Sequence, residues 1–209
     1  SLEELFTVLK KVKLGVNFGT LVGHSTIRRS LIGEQMRDLT DSELEVFKKI
    51  LERSLEDGAL GFSTGLGYVH SRQTSYQEIQ SLVGIVARFD TAYATHLRNE
   101  KEKLLLSVME TIEVAKKTGA KTIISHFRPL IGNEKNFQQA LKLIEESGVV
   151  EMDIYPSNVS LIPVYQLLPY WIQVGGLEVM LNKLLNNHIA ERVIKELAIF
   201  KRGDLMVAK

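Results

Sequence analysis

The chain has 209 residues, of which 44% are hydrophobic and 24% are charged, the balance of a globular protein with a sizeable core. Its 26 Lys and Arg residues nearly cancel its 25 Asp and Glu residues, which argues against nucleic acid or an anionic membrane as a partner and favours a small molecule. The sequence has no cysteine, so it offers neither a disulfide nor a thiolate ligand, and a cytoplasmic location is expected.

The first segment, SLEELFTVLKKVK, has the spacing of an amphipathic helix and not the composition of a signal peptide. No apolar run approaches the roughly 18 residues that a membrane span needs. Because the sequence begins with Ser1 and not with Met, we expect residues 1–209 to be a portion of a longer protein. The oligomeric state is not indicated.

Five short apolar runs alternate with helical segments along the chain. The runs are rich in β-branched and small residues and mostly lack polar alternation, which indicates parallel strands buried on both faces. They are Val16–Val22, Ala59–Leu66, Thr91–Thr95, Lys121–Ser125 and Val149–Tyr155.

Capping residues and apolar spacing predict the helices between these strands. A Ser, Thr or Asn followed three positions later by Glu has the spacing of a capping box, which marks the start of a helix. Three pairs have this spacing: Thr40 with Glu43, Ser75 with Glu78, and Asn99 with Glu102. A fourth helix is predicted over residues 134–148, and two further helical segments are predicted between residues 176 and 200.

Strict alternation of strands and helices leaves an open doubly wound sheet and a closed (β/α)8 barrel as candidate folds. The predicted strand ends at Leu66, His96, His126 and Tyr155 lie 30, 30 and 29 positions apart, a regular spacing that favours a barrel. No G-x-G-x-x-G motif follows the first strand, so the signature of a nucleotide-binding open sheet is lacking. We therefore predict an α/β fold of the (β/α)8 type.

His96 and His126 each end an apolar strand and each precede an arginine by two positions, in THLR and SHFR. The carboxyl ends of barrel strands form the active-site face, so both side chains would lie in one mouth. Imidazole is a common zinc ligand, and zinc lowers the pKa of bound water to about 7 for attack on an amide carbonyl. The spacing leaves two interpretations open: metal ligands, or unrelated histidines that close their strands by hydrogen bonding.

Three other histidines are candidates for further roles. His24 ends the first predicted strand and is predicted to be structural, with a third metal ligand or a substrate contact as alternatives. His70 lies in the loop after the second strand, where a substrate contact and a plain solvated side chain are the two alternatives. His188, at the start of a late helix, is predicted to be a surface residue.

Charged side chains also lie near the predicted strand ends. Asp153, in the last strand, is expected to pair with a neighbouring strand, because a buried carboxylate needs a partner. Arginine clamps a carboxylate through two parallel hydrogen bonds, so one of four arginines just past the strand ends is expected to bind substrate and the others to brace loops. The four are Arg28, Arg29, Arg98 and Arg128.

Several short motifs resemble those of the N-acyl-D-amino-acid deacylases (D-aminoacylases) of the amidohydrolase superfamily. They occur in the family's order and at similar spacing over nearly the whole chain, which is far more specific than any one motif. The motifs are LVGHSTIRR at 21–29, GALGFSTGLGY at 58–68, YATHLRNE at 93–100, ISHFRP at 124–129, and DIYP with a later LLPYW and GG over 153–176.

The resemblance implies a partial (β/α)8 TIM-like barrel in which residues 1–209 are the central portion, about strands 3 to 7 with their helices. It implies zinc as the cofactor, with His96 and His126 as ligands at the ends of strands five and six. It also implies that an H-x-H pair, a cysteine that completes the zinc site and an aspartate general base lie outside these residues. We therefore expect no catalytic base in this chain.

The resemblance also suggests residues that bind the substrate carboxylate. Tyr155 is one, and Ser160 is the nearest candidate for a serine used by relatives, although it is one position short. Arg98 and Arg128 complete the predicted substrate-binding set. Gly67 stands where family members commonly have Glu, and SNVSL follows DIYP where relatives are usually rich in Tyr. These departures concern the specificity for D-amino acids more than the metal chemistry.

The predicted activity is zinc-dependent hydrolysis of N-acyl-D-amino acids to a carboxylate and a free amino acid. One alternative is another amidohydrolase, such as a hydantoinase or dihydroorotase relative, but those use a carboxylated lysine after strand four and GFSTGLGY contains none. The other alternative is a non-catalytic barrel fragment, because five strands of eight cannot close a barrel and leave open edges.

Overall fold

A computed structural model describes residues 2–130, 132–155, 157 and 164–198. The chain divides into two compact units, Ser1–Pro156 and Ser157–Lys209. The described helices of the first unit are α1 (Leu2–Leu9), α2 (His24–Ile32), α3 (Asp41–Glu56), α4 (Tyr76–Arg88), α5 (Leu104–Thr118) and α6 (Glu134–Ser147). Its described strands are β1 (Val22–Gly23), β2 (Gly61–Gly65), β3 (Ala92–His96), β4 (Lys121–Phe127) and β5 (Val150–Ile154).

The strands form a five-stranded parallel sheet in the order β1-β2-β3-β4-β5. A doubly wound sheet reverses its strand order at a switch point, whereas strands in strict chain order with helical crossovers are the arrangement of a (β/α)8 barrel. The order therefore decides between the two folds that the alternation left open. The predicted α/β fold, as part of a barrel, is confirmed.

Two apolar clusters hold the helices against the sheet. In the first, Phe62 of β2 packs between Phe47 of α3 and Tyr93 of β3, with ring centroids 6.2 and 6.1 Å apart. In the second, Ile124 of β4 and Val108 of α5 are fully buried. Full burial of such a side chain contributes about 1.5–3 kcal/mol. These clusters therefore stabilise the packing of the helices on the sheet.

The first predicted strand is wrong over most of its length. Only Val22 of the run Val16–Val22 lies in a strand, while Val16 and Phe18 are 78% and 52% exposed. The described pairing of β1 with β2 involves Val22 and Gly23 alone, and α2 begins at the next residue. Apolar composition predicts strand character but cannot predict which of these residues pair with the neighbouring strand, here only Val22 and Gly23 with β2.

The predicted capping box at Thr40 is confirmed, and the second box is half formed. The Thr40 hydroxyl accepts a hydrogen bond from the Glu43 N–H, and the Glu43 carboxylate accepts one from the Thr40 N–H. The Ser75 hydroxyl likewise accepts a hydrogen bond from the Glu78 N–H. The Glu78 carboxylate does not return this bond, because it is buried against other partners that are described below.

The third predicted capping box is wrong. Helix α5 begins at Leu104 with Lys103 at its N-cap position and no side-chain cap. The Asn99 side chain instead accepts hydrogen bonds from the backbone N–H groups of Lys101 and Lys103. Asn99 therefore orders the loop between β3 and α5 and does not start the helix, a use that asparagine side chains serve in turns.

The described part of the second unit is helical: a short 3-10 helix at Val164–Leu167, then α7 (Tyr170–Gln173), α8 (Gly176–Leu184) and α9 (Asn187–Leu197). The predicted helical segments between residues 176 and 200 are confirmed as α8 and α9, and residues 199 and 200 lie outside the described residues. A small core joins these helices through Ile172, Met180 and Val193. In the described residues, no helix has both the length and the apolarity for crossing a membrane.

Candidate metal centre

The two strand-end histidines lie side by side. His96 is the last residue of β3, and His126 lies near the end of β4, the neighbouring strand. The strands are paired up to Thr95 and Ile124, so both imidazoles emerge at the carboxyl edge of the sheet. This is the edge on which (β/α)8 enzymes build their active sites.

The backbone at His126 departs from regular strand geometry. The pairing of β4 with β5 shifts between Ile124 and Phe127, and His126 has a φ of +43°. The left-handed region costs a residue other than glycine about 1–2 kcal/mol, and residues held there concentrate at functional sites. The backbone N–H of His126 donates a hydrogen bond to the Asp153 carboxylate of β5, which is the pairing with a neighbouring strand expected for Asp153, although the Asp153 side chain is exposed and not buried.

The facing atoms of the two rings are Nδ1 of His96 and Nε2 of His126, which are 3.1 Å apart. Two nitrogens at 2.0–2.1 Å from a tetrahedral zinc ion lie about 3.3 Å apart, so the spacing fits two ligands of one ion. It also suits a single N–H···N hydrogen bond. Nδ1 of His126 is buried and has no hydrogen-bond partner among the described residues.

A carboxylate beside this pair favours the metal interpretation. Ligand atoms of His96, Glu100 and His126 all lie within 4.8 Å of one another. Glu100 is the last residue of the YATHLRNE motif, but it is not among the site residues predicted from the sequence. Its position four residues after a strand-end histidine was the available signal, but only the course of the loop after β3 shows that its side chain turns back to the site.

The protonation states suit a cation site. Burial lowers the pKa of His96 to about 4, and the positive potential of His126 and Arg128 adds to the effect. The His96 imidazole is therefore neutral at neutral pH, with a lone pair free for a ligand. Burial raises the pKa of the Glu100 carboxyl, against the attraction of His126 and Arg128. A divalent cation would supply the charge that this buried carboxyl lacks.

The loop after β2 forms one wall of the site. The Tyr68 ring stacks on the His96 ring, with centroids 4.9 Å apart. Gly67, where the family resemblance leads us to expect glutamate, lies against the same ring, and a Cβ at this position would come within 2.5 Å of His96 Nε2. The absence of a side chain at Gly67 is therefore what lets the loop approach His96 this closely.

Arg98, a predicted substrate ligand, is engaged in an ion pair. Its guanidinium donates hydrogen bonds to both carboxylate oxygens of Glu110, with the shortest at 2.7 Å, and to the carbonyl oxygen of Arg72. These contacts tie the end of β3 to α5 and to the loop after β2. A substrate role for Arg98 remains a prediction, and the described contacts are those of a loop brace.

Arg128 and Tyr155, two other predicted substrate residues, lie together at the ends of β4 and β5. The Arg128 guanidinium lies over the Tyr155 ring, 5.7 Å from its centroid, and Tyr155 is 39% exposed. A cation above an aromatic face at this distance holds both groups in place. Ser160, the fourth predicted substrate residue, lies outside the described residues.

His24 lies in a different environment, inside a buried polar network. Its side chain is fully buried; Nε2 lies 2.8 Å from the Glu78 carboxylate, and Nδ1 lies 3.3 Å from the Ser71 hydroxyl. Arg28 donates to the same Glu78 carboxylate at 3.1 Å. The ring also stacks on Phe47, with centroids 5.5 Å apart. These contacts are structural, as predicted for His24.

The remaining histidines and Arg29 pair with acids or face solvent. Nδ1 of His70 lies 3.1 Å from a Glu34 carboxylate oxygen, and Arg29 forms an ion pair with the same glutamate. His188 is the second residue of α9 and is exposed, as predicted. None of these side chains belongs to the described cluster of His96, Glu100 and His126.

Comparison of sequences relates the chain to deacylases. No protein-family model matches it. It is 29% identical over 154 residues to a D-aminoacylase from Alcaligenes xylosoxydans xylosoxydans, covering 71% of this chain and 31% of that protein. It is also 29% identical over 166 residues to an N-acyl-D-glutamate deacylase of the same organism, covering 76% and 34%. The chain thus spans about a third of the length of the relatives that it matches.

Solved structures give the same relationship. A crystal structure of N-acyl-D-glutamate deacylase from Bordetella bronchiseptica, complexed with zinc and a phosphonate mimic of the tetrahedral intermediate, matches 75% of this chain and 34% of that chain, with a TM-score of 0.67 and 28% identity. A crystal structure of D-aminoacylase, described as defining a novel subset of amidohydrolases, matches the same shares, with a TM-score of 0.70 and 27% identity. The homologues of this chain are therefore D-aminoacylases and N-acyl-D-amino-acid deacylases, as its motifs predicted.

Proposed function

We propose that this chain supplies the metal-binding part of a zinc-dependent enzyme that hydrolyses the amide bond of N-acyl-D-amino acids to a carboxylate and a free amino acid. The observation that carries the proposal is the pair of facing nitrogens, His96 Nδ1 and His126 Nε2, at the ends of neighbouring barrel strands. The zinc and the tetrahedral-intermediate mimic in the related deacylase structure support both the metal and the reaction class.

In this proposal, His96 and His126 hold the metal through the nitrogens that already face one another. Zinc, when bound, supplies a Lewis acid that polarises the amide carbonyl and lowers the pKa of water. The strained backbone at His126 and the Tyr68 ring stacked on His96 keep the two imidazoles in place. Preorganised ligands of this kind lose little freedom on metal binding.

The substrate carboxylate is proposed to bind at Arg128 and Tyr155. Arg128 lies at the end of the strand that carries His126, and Tyr155 presents an exposed hydroxyl-bearing ring beneath its guanidinium. Ser160 and Arg98 complete the proposed set, although Arg98 would first have to leave Glu110. A guanidinium beside a phenol can bind a carboxylate through charge and hydrogen bonding together.

The whole reaction needs more than these residues. The proton of the leaving amine is proposed to come from a carboxylate outside residues 1–209, and the metal site is proposed to gain its further ligands there. The reaction is therefore proposed for a longer enzyme, of which we propose that this chain forms one portion. A cytoplasmic location and a small-molecule substrate belong to the same proposal.

Zinc binding by the chain tests the metal assignment directly. We expect His96→Ala and His126→Ala each to weaken zinc binding at least about tenfold, because each removes a ligand. His188→Ala, which removes an exposed histidine of the second unit, is the matched control and should bind zinc like the wild type. Competition with a chromophoric chelator gives the affinities. Unchanged stoichiometric zinc in both site variants would refute the assignment.

Substrate hydrolysis tests the reaction. The longer enzyme and the 209-residue chain would each be assayed for zinc-dependent release of amino acid from N-acetyl-D-amino acids, with N-acetyl-L-amino acids and a hydantoin as comparison substrates. We expect activity on the D-substrates in the longer enzyme alone. Activity in the 209-residue chain would contradict a general base outside it, and preference for the hydantoin would favour the alternative amidohydrolase.

A further inference from the structure

The two nitrogens of the His96 ring face different groups. Nδ1 faces Nε2 of His126 at 3.1 Å, whereas Nε2 faces a Glu100 carboxylate oxygen at 3.8 Å. Gly67 closes the same side of the ring, since a Cβ there would come within 2.5 Å of Nε2. His96 and Glu100 are 17% and 18% exposed, so water has limited access to the space between them.

One imidazole cannot bind a single ion through both nitrogens, because their lone pairs point away from opposite sides of the ring. A metal shared with His126 must therefore bind Nδ1 of His96, which leaves Nε2 as an N–H donor. The described carboxylate on that side belongs to Glu100. A movement of about 1 Å would bring it within hydrogen-bond distance.

We propose that Glu100 is a positioning residue that accepts the Nε2–H of His96, so that Nδ1 of His96 is the free nitrogen that binds the metal. This inference rests on the proposed metal site and adds a residue that works through His96 and not on the ion itself. Metal-binding histidines usually donate their second N–H to a carboxylate or a carbonyl, which fixes the tautomer and orients the ring.

The loop after β3 holds Glu100 where this role requires it. The Asn133 side chain donates a hydrogen bond to the Glu100 carbonyl oxygen at 3.0 Å. The Asn99 N–H donates to the Ser107 hydroxyl at 3.0 Å, and the Asn99 side chain accepts from two backbone groups that follow. These bonds tie the backbone on both sides of Glu100 to α5 and to the start of α6. The backbone that carries Glu100 is therefore held where its carboxylate lies 3.8 Å from His96 Nε2.

Zinc affinity in Glu100 variants tests the proposal. We expect Glu100→Ala to weaken zinc binding by about 10–100-fold, the range for loss of a carboxylate partner behind a ligand. Glu100→Gln should lose less, because its amide oxygen still accepts a hydrogen bond. Glu102→Gln, which changes an exposed glutamate of the same loop, is the matched control and should not alter the affinity. Circular dichroism would show that each variant is folded.

Two spectroscopic readouts separate positioning from direct ligation. In 15N-histidine NMR of the zinc-bound protein, we expect the wild type to show a protonated, hydrogen-bonded Nε2 at His96, and the Glu100→Ala variant to lose that hydrogen bond. The absorption spectrum of the cobalt-loaded protein should keep its coordination bands in Glu100→Gln. A changed coordination number in that variant would mean that Glu100 is a ligand, and would overturn the proposal.

Failure of the proposed metal site and failure of the proposed role of Glu100 give different experimental results. If His96→Ala leaves zinc binding unchanged, the metal site itself is refuted, and the role of Glu100 falls with it. If His96→Ala abolishes binding while Glu100→Ala keeps the wild-type affinity and the same His96 tautomer, only the positioning role is refuted. Weaker zinc in Glu100→Ala with retained cobalt bands would support it.

Discussion

His24 and the pair His96 and His126 lie at the carboxyl ends of strands of the same sheet, yet their environments are opposite in kind. His24 is fully buried, and each of its ring nitrogens faces a buried polar partner, Ser71 or Glu78. His96 and His126 face one another, and Nδ1 of His126 has no partner within the described residues. A strand-end histidine is thus structural where both nitrogens are satisfied, and a ligand candidate where they are not.

Electrostatics separate the two regions further. Burial lowers the pKa of His24 in spite of the Glu78 carboxylate, so we assign a neutral ring that donates Nε2–H to Glu78 and accepts from Ser71. Burial alone would raise the pKa of the Glu78 carboxyl, but His24 and Arg28 together lower it. In that network, the charge of the Glu78 carboxylate is compensated by the Arg28 guanidinium and by hydrogen bonding with His24. Glu100 has no such cationic side chain in hydrogen-bond contact among the described partners, and its pKa is raised.

The largest effect is expected for Glu78→Gln, which tests whether the His24 network is structural. The substitution leaves the Arg28 guanidinium, 5% exposed, without its carboxylate, and removing one partner of a buried pair costs about 3–5 kcal/mol. Denaturant unfolding of the zinc-free chain measures the loss. Zinc affinity of the folded variant should remain that of the wild type.

Glu52→Gln is the matched control for this substitution. It breaks a surface pair with Arg88, whose side chain is 64% exposed, and should cost no more than about 1 kcal/mol. A similar small loss in Glu78→Gln, or a fall in its zinc affinity, would remove the distinction between the two histidine environments.

A smaller effect is expected for Gly67→Ala, which tests the packing of the metal centre. The new Cβ would lie 2.5 Å from His96 Nε2 and 2.9 Å from the Leu97 carbonyl oxygen, so the ring or the loop must move. We expect a loss of about 1–3 kcal/mol in the free energy of unfolding, together with weaker zinc binding. Gly84→Ala is the control, because nothing lies within 4 Å of its Cβ position in α4 and alanine favours a helix. Equal zinc affinity in the two variants would contradict the close approach of Gly67 to the His96 ring.

The smallest effect is expected in the pH dependence of stability of the zinc-free chain. The pKa of His96 is about 4 in the folded state, below the ordinary histidine value of 6.5, so between these pH values the unfolded chain binds more protons. The contribution of His96 is therefore complete above pH 6.5 and is lost as the pH falls towards 4, with a slope of at most about 1.4 kcal/mol per pH unit. Denaturant unfolding of His96→Gln from pH 4 to 7 should show a shallower slope than the wild type, while the surface variant His188→Gln should keep the wild-type slope. Equal slopes in all three would mean that His96 is not desolvated.

The helices and strands were predictable where local signals were strong. The apolar runs that became β2 to β5 and the cap at Thr40 depend on residues close together in the chain, and the sequence shows these directly. The capping-box prediction failed where the side chain binds a partner that is distant in the sequence. Glu78 had capping-box spacing, but its carboxylate forms a buried ion pair with Arg28 and does not complete the part-buried cap at Ser75.

The positions of the two histidines of the candidate site were also predictable, because they depend on signals from residues close together in the chain. Regular strand spacing and the flanking motifs placed His96 and His126 at one edge of the sheet, and the structure brings their nitrogens to 3.1 Å. The bulge and positive φ at His126 could not be predicted, because they arise from the register of β4 against β5 and from Asp153. The role of Glu100 depends on a loop path that no periodic pattern encodes.

The sequence by itself therefore determined the alternation of strands and helices and the histidines that meet at the carboxyl edge of the sheet, and its regular spacing favoured a barrel. Only the tertiary structure decided what each histidine does. Element type follows from neighbours along the chain, but the partners of His24 lie 47 and 54 positions away, and hydrogen bonding over such separations depends on how the elements pack. Packing gives both ring nitrogens of His24 a buried polar partner. At the other site, packing brings a ring nitrogen of His96 to face one of His126.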